Sequence, residues 1–167
     1  LPVELAIEKE LGFSLSTDKY FKNELDSHLI TEDVFEEINF GEGQKNVYSL
    51  SKNTEIIKYT NGDLLMSANK YGKGRAVYIA GLPYSVQNTR ILTRACYYAA
   101  GKEEEMKKWY SDNQYCEVSA YLESNRYAVI NNSNEKQVAK IYEGEGKSMT
   151  LELAPTEIKW ININKQA

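Results

Sequence analysis

From residue 116 onward, apolar and polar positions alternate almost one for one. Cys116, Val118, Ala120 and Leu122 alternate with Glu117, Ser119, Tyr121 and Glu123, and Met149, Leu151 and Leu153 alternate with Thr150, Glu152 and Ala154. A period of two sends one set of side chains to a buried face and the other to water, which is the pattern of a half-buried strand. Segments 126–131, 137–142 and 158–163 have the same character. The runs Asn131-Asn132-Ser133-Asn134 and Glu143-Gly144-Glu145-Gly146 supply turns between them. Five short strands within about fifty residues predict a small antiparallel β-sandwich.

Upstream the pattern is mixed. Residues 3–11 read as the tail of a helix, with apolar Leu5, Ala6, Ile7 and Leu11 and with Gly12 as its stop. Thr31, followed by Glu32 and Asp33 and then by Val34, Phe35 and Ile38, predicts a short capped helix with its acidic residues in the first turn. Strands are expected over 47–51, 55–60, 64–69 and 76–82, with a hairpin at Asn61-Gly62 and a tight turn at Tyr71-Gly72-Lys73-Gly74. The nearly continuous apolar run at 76–82 predicts a central strand covered on both faces. From Ser85 the period becomes helical. Ile91, Leu92, Ala95, Tyr98 and Ala99 form the inner face, Arg90 and Arg94 stand opposite, and Gly101 follows the last turn. A strand, a Pro-containing turn and an amphipathic helix together indicate an α/β layer. The predicted fold class is therefore α/β followed by all-β, with the charged run 102–108 as the connection.

Length and composition narrow the functional classes. A chain of 167 residues holds one domain or two small ones and can bury a core without disulfides or metal. Thirteen of its nineteen aromatic residues are Tyr, which suits both half-buried strands and sugar-contacting surfaces. The longest apolar runs fall far short of the roughly 20 residues of a membrane span. The first residues carry neither a basic leader nor an initiator Met, so the chain reads as a piece of something longer. A net charge of −4 gives no basic footprint for nucleic acid. Within it, residues 61–110 carry 8 Lys and Arg against 4 Asp and Glu, read as a solvated helix face. Two cysteines without CxxC spacing suggest reduced, cytoplasmic thiols.

Each candidate for chemistry has a plainer structural reading. His28 is the single histidine, and without a G-x-S-x-G elbow or a cysteine partner it reads as structural rather than as a base or zinc ligand. Cys96 falls mid-helix rather than on a nucleophile turn and reads as a packing residue; Cys116 opens a strand and reads as inert. Tyr71-Gly72-Lys73-Gly74-Arg75 lacks Walker spacing and is followed by a strand, so it reads as a turn whose glycines take positive φ. The carboxylate pairs Glu36-Glu37, Glu24 with Asp26, and Glu103 to Glu105 lie on polar faces, and none separates an acid from a base. Asn131-Asn132-Ser133 is formally a glycosylation sequon. No catalytic, cofactor-binding or metal-binding residue is assigned.

The block Asn69-Lys70-Tyr71-Gly72-Lys73-Gly74-Arg75-Ala76-Val77-Tyr78-Ile79-Ala80-Gly81-Leu82-Pro83-Tyr84-Ser85, followed by Asn88-Thr89-Arg90-Ile91-Leu92, resembles the closing strand and helix of the middle domain of the galacto-N-biose/lacto-N-biose phosphorylases. Leu11-Gly12-Phe13-Ser14-Leu15, His28-Leu29-Ile30, Trp109-Tyr110-Ser111-Asp112-Asn113, Ala128-Val129-Ile130-Asn131-Asn132, and Leu153-Ala154-Pro155 with Trp160 look like further landmarks in the family order. The resemblance implies a parent enzyme with an N-terminal barrel, a glutamine-amidotransferase-like α/β domain and a C-terminal β-sandwich. It also implies inverting phosphorolysis of a galactoside to α-galactose 1-phosphate without an organic cofactor.

On that resemblance, residues 1–106 are the second half of the middle domain and 107–167 are the sandwich. The chain is then a non-catalytic, cytoplasmic, scaffolding or dimer-supporting piece of a glycosyltransferase-type phosphorylase. Its partners are the missing barrel and a second copy, and self-association is expected around residues 1–60. Two alternatives stand beside it, a stand-alone carbohydrate-binding module and an oligomerisation domain of a β-galactosidase. Two coplanar, exposed aromatic rings on one sandwich face would favour the first.

Overall fold

The structure, a computed structural model, describes residues 4–5, 28–32, 37–45, 47–49, 53–144 and 146–163. Its contacts divide the chain into two compact units, Leu1–Lys102 and Glu103–Ala167.

In the first unit, β1 (Glu4–Leu5) pairs antiparallel with β2 (Val47–Tyr48). A three-stranded antiparallel sheet follows in the order β3 (Glu55–Thr60), β4 (Asp63–Tyr71), β5 (Gly74–Ile79). The β3–β4 turn is the expected Asn-Gly pair, with φ of 53° at Asn61 and 86° at Gly62, the mirror-image turn that matches strand twist. At the β4–β5 turn only Gly72 takes positive φ; Gly74 is already in the strand, paired with Tyr71.

The helix α1 (Val86–Ala100) forms where its period predicts. Ser85 caps it, its Oγ accepting from the Asn88 N–H at 3.0 Å, and Gly101 ends it in the left-handed conformation. Ile91, Ala95 and Tyr98 pack on Ile57, Met66 and Ala68 of the sheet. On the other face Ile56 and Leu64 join Val47. Register shifts between β3 and β4 bring Leu64 onto the same face as Ile56.

Several expectations fail here. Residues 4–5 form a strand rather than a helix, and the rest of the predicted first helix lies outside the described residues. So does the middle of the predicted capped helix after Thr31; Thr31 and Glu32 themselves form a turn on the His28 carbonyl. The strand β2 is two residues long rather than five. The apolar run at 76–82 is not the central strand: among the described residues β5 is an edge, half-buried, and β4 is central. On β4 the polar Ser67 and Asn69 are buried together with Met66 and Ala68. On the helix, Arg94 is only 6% exposed and Leu92 is 50% exposed, the reverse of the expected sides. At 100° per residue Arg94 falls beside Gln87 at one edge of the buried arc, which runs through Tyr98, Ile91 and Ala95 to Asn88, and Leu92 lies beyond its other edge.

The second unit opens with the short helix α2 (Glu103–Lys108), where a charged connection was expected. Its acidic residues fill the first turn and its lysines the last, as the helix dipole favours. Two three-stranded antiparallel sheets follow. One has the order β10 (Lys147–Leu153), β9 (Gln137–Glu143), β6 (Trp109–Ser111). The other has the order β11 (Ile158–Asn162), β8 (Arg126–Asn131), β7 (Cys116–Tyr121). Their inner faces share one core, in which Cys116, Tyr127 and Val129 meet Ala139, Ile141 and Leu153. The alternation in the sequence is thus the inward and outward alternation of the strands.

Buried asparagines tie loops together in both units. The Asn88 Nδ2 donates to the carbonyls of Asn39 (2.9 Å) and Pro83 (2.7 Å), fastening the loop before β2 to the turn before α1. Gly81 lets those loops touch, because a Cβ there would stand 2.5 Å from the Phe40 carbonyl oxygen and 3.0 Å from the Gly43 Cα. Both obstacles are backbone, so Gly81→Ala should cost about 1–3 kcal/mol, the range for overpacking a filled site. A denaturant midpoint equal to that of the unsubstituted chain, at unchanged slope, would disprove the contact.

Candidate functional site

In the first unit, a cavity of about 360 Å³ is lined by Glu37, Asn39, Lys45, Asn61 and Asp63 with apolar neighbours Phe40 and Leu65. Asn61-Gly62 places the Asp63 end of β4 against the 37–45 loop, and Lys45 Nζ closes on Asp63 Oδ2 at 3.1 Å. Lys45 and Asp63 are therefore engaged with each other. The cavity offers hydrogen-bond donors and acceptors, but no histidine or cysteine lines it.

The sequence candidates do not converge there. His28, with its side chain 7% exposed, accepts from the Ile30 N–H through Nδ1 (3.2 Å) and lies 3.4 Å from Glu55 Oε2 through Nε2. Its ring meets Tyr98 edge-on at 5.1 Å, so the imidazole pins the 28–32 turn to β3 and α1. Cys96 is exposed rather than packed, because its position falls off the buried arc of α1. Cys116 is buried in the second core. Tyr71 is 83% exposed, at the end of the β4–β5 hairpin. Glu103 to Glu105 start α2, and Glu24, Asp26 and Glu36 lie outside the described residues. The sequon nitrogen is used internally, since Asn131 Nδ2 donates to Glu135 O (2.7 Å) and Ala154 O (2.8 Å) while Oδ1 accepts from the Ser133 N–H (2.9 Å). Among the described residues no cluster of three or more His, Cys, Asp or Glu could hold a metal ion, and no helix is long and apolar enough to cross a membrane.

Aromatic residues of the second unit form two further groupings. Tyr110 and Tyr142, cross-strand partners on β6 and β9, stack face to face at 4.4 Å and 1°, half-buried. They are parallel rather than coplanar, and they cover each other. Tyr121 and Trp160 are exposed, with centroids 5.4 Å apart and planes tilted by 45°. The Arg126 guanidinium stands 4.5 Å from the Trp160 ring. Neither grouping is the open coplanar pair expected of a carbohydrate-binding module. Sequence reasoning noted Tyr121 and Trp160 separately; only the registers Trp160 to Ala128 and Tyr121 to Arg126 bring them together over β8.

Comparison with known proteins supplies what this geometry lacks. The chain is 48% identical over 159 residues to a 1,3-beta-galactosyl-N-acetylhexosamine phosphorylase of Lachnoclostridium phytofermentans, a match covering 95% of the chain and 22% of that relative. It is 32% identical over 186 residues to the phosphorylase of the same name from Bifidobacterium longum, covering 93% of the chain and 25% of the relative. It is 29% identical over 141 residues to a D-galactosyl-beta-1->4-L-rhamnose phosphorylase of Lachnoclostridium phytofermentans, covering 82% of the chain and 18% of the relative. The chain thus spans about a fifth to a quarter of the length of these relatives. Residues 3–104 match the Lacto-N-biose phosphorylase central domain and residues 109–161 the Lacto-N-biose phosphorylase C-terminal domain, in the order in which the two units follow one another. With both of its units matched, the chain belongs to the lacto-N-biose phosphorylase family.

Proposed function

We propose that this chain is the central and C-terminal portion of a cytoplasmic phosphorylase that cleaves a galactosyl-β-1,3-N-acetylhexosamine with inorganic phosphate. A phosphate oxygen bonds to the anomeric carbon with inversion, the glycosidic bond breaks, and the departing sugar oxygen takes a proton from an acid outside this chain. The products are α-galactose 1-phosphate and the free N-acetylhexosamine. In this reading residues 1–106 belong to the second half of a glutamine-amidotransferase-like middle domain and 107–167 form the C-terminal sandwich. Their role is to buttress the barrel and to support a homo-oligomer.

The observation that carries the reading is the match of both units, in sequence order, to the two family domains. The purified 167-residue chain should release no galactose 1-phosphate from lacto-N-biose and phosphate, and the full-length chain that carries it should release it readily. Turnover by the short chain alone would overturn the non-catalytic assignment. Inactivity of the full-length chain on every β-galactoside offered with phosphate would overturn the phosphorylase reading.

A further inference from the structure

The outward face of the β11-β8-β7 sheet is built in three cross-strand rows. Ile158, Ile130 and Glu117 form the first, Trp160, Ala128 and Ser119 the second, and Asn162, Arg126 and Tyr121 the third. Trp160 is 53% exposed and Ile158 54%, and Leu122, just past the end of β7, is 65% exposed. Ala128, at the centre, is nevertheless 1% exposed. An outward alanine becomes that buried only when the side chains around it close over it, so the patch is packed rather than splayed. Arg126 against the indole holds it so (4.5 Å). At the opposite end the Glu117 carboxylate is steadied by Ser119 Oγ (3.2 Å) and Asn132 Nδ2 (3.4 Å).

Trp, Tyr and Arg set in place around an apolar centre, with charges at the margin, are the composition of an interface anchor. A sugar ring needs an open aromatic face, whereas Trp160 carries a guanidinium and the patch runs on into aliphatic Ile158 and Leu122. The matched relatives are four to five times as long as the part this chain covers, so a large surface of the same polypeptide is available to meet it. We infer that this face docks the preceding part of the phosphorylase chain, an inference that rests on the proposed function. The docked surface presents apolar side chains to Trp160 and Ile158, an acidic group to Arg126 and a hydrogen-bond donor to Glu117.

Hydroxyl-radical footprinting of the full-length chain, read by peptide mass spectrometry, tests this. Trp160 and Tyr121 should be oxidised several-fold more slowly in the full-length chain than in the 167-residue chain, and the protection should survive dilution. Arg126→Glu should raise the oxidation of Trp160 in the full-length chain, whereas Val138→Ser on the other sheet should not. Equal oxidation in both chains would overturn the inference. So would protection lost on dilution, which makes a second copy the occupant, or protection that appears only with added lacto-N-biose, which makes a sugar the occupant. Phosphorolysis measured on the same preparation separates the two questions: an active but unprotected chain removes this inference alone, and a protected but inactive one removes the functional reading.

Discussion

Tyr127→Ala should destabilise the second unit by about 3–5 kcal/mol, the range for truncating a buried aromatic. Tyr127 is 0% exposed and sits between the two sheets. Its ring meets Trp109 at 5.3 Å and its hydroxyl donates to Glu143 Oε2 at 2.8 Å. The substitution therefore leaves a cavity and also takes the donor from a half-buried carboxylate. Both tryptophans, Trp109 and Trp160, belong to this unit, so their fluorescence reads its unfolding selectively. A midpoint shift worth less than about 1 kcal/mol would mean that the two sheets do not share this core.

The same phenol makes a prediction about pH. Burial, and then the hydrogen bond and charge of Glu143, hold the Tyr127 pKa far above its usual value, and burial followed by the Asp63 charge raises Tyr78 in the first unit. The folded state thus keeps these protons longer than the unfolded state does. Their contribution to stability is complete below the ordinary tyrosine pKa of about 10 and is lost as pH climbs beyond it. The tryptophan-monitored midpoint should fall above that pH, and Tyr127→Phe should flatten the fall. An equally steep fall in the Phe variant would assign the alkaline loss to other groups.

Met66→Ala should cost the first unit about 2–5 kcal/mol, more than Ile79→Ala. Met66, on the central strand β4, is 0% exposed and packs with Ile91 and Ala95 of α1. Ile79 is its cross-strand partner on the edge strand β5 and is only half-buried. From the sequence, the apolar run around Ile79 predicts instead that 76–82 is the central strand. The far-UV circular dichroism of α1 follows this unit, because the longest described helix lies within it. A larger loss from Ile79→Ala would restore 76–82 as the central strand.

Elements whose signals are local were legible in the sequence. The helix at 86–100 carries its own cap, period and stop in Ser85, Ile91 and Gly101, and the Asn61-Gly62 turn carries its own dihedrals. The strands of the second unit carry a period of two that no competing pattern disturbs. The family resemblance, drawn from the block around Gly72 to Ser85, was confirmed by the match of residues 3–104 and 109–161 to the two family domains. At His28 and Asn131, polar groups that could have served a reaction are consumed in holding turns.

Which strand stands at the centre and which side chains share a surface were decided only in three dimensions. Apolar content measures how much a strand can bury, whereas centrality depends on whether it has neighbours on both sides; β4, with Ser67 and Asn69 in its middle, has both. Arg94 is buried and Leu92 exposed because the helix presents an arc to the sheet, and the centre of that arc is set by how α1 docks rather than by hydrophobicity alone. Tyr121, Arg126 and Trp160 are separated by as many as thirty-nine positions and meet because register places β7 and β11 on either side of β8. The sequence by itself determined the helix at 86–100, the Asn61-Gly62 turn, the five strands from Cys116 onward and the family, since those depend on near neighbours and on matched motifs. The tertiary structure decided burial, centrality and the exposed anchor, since those depend on contacts between residues far apart along the chain.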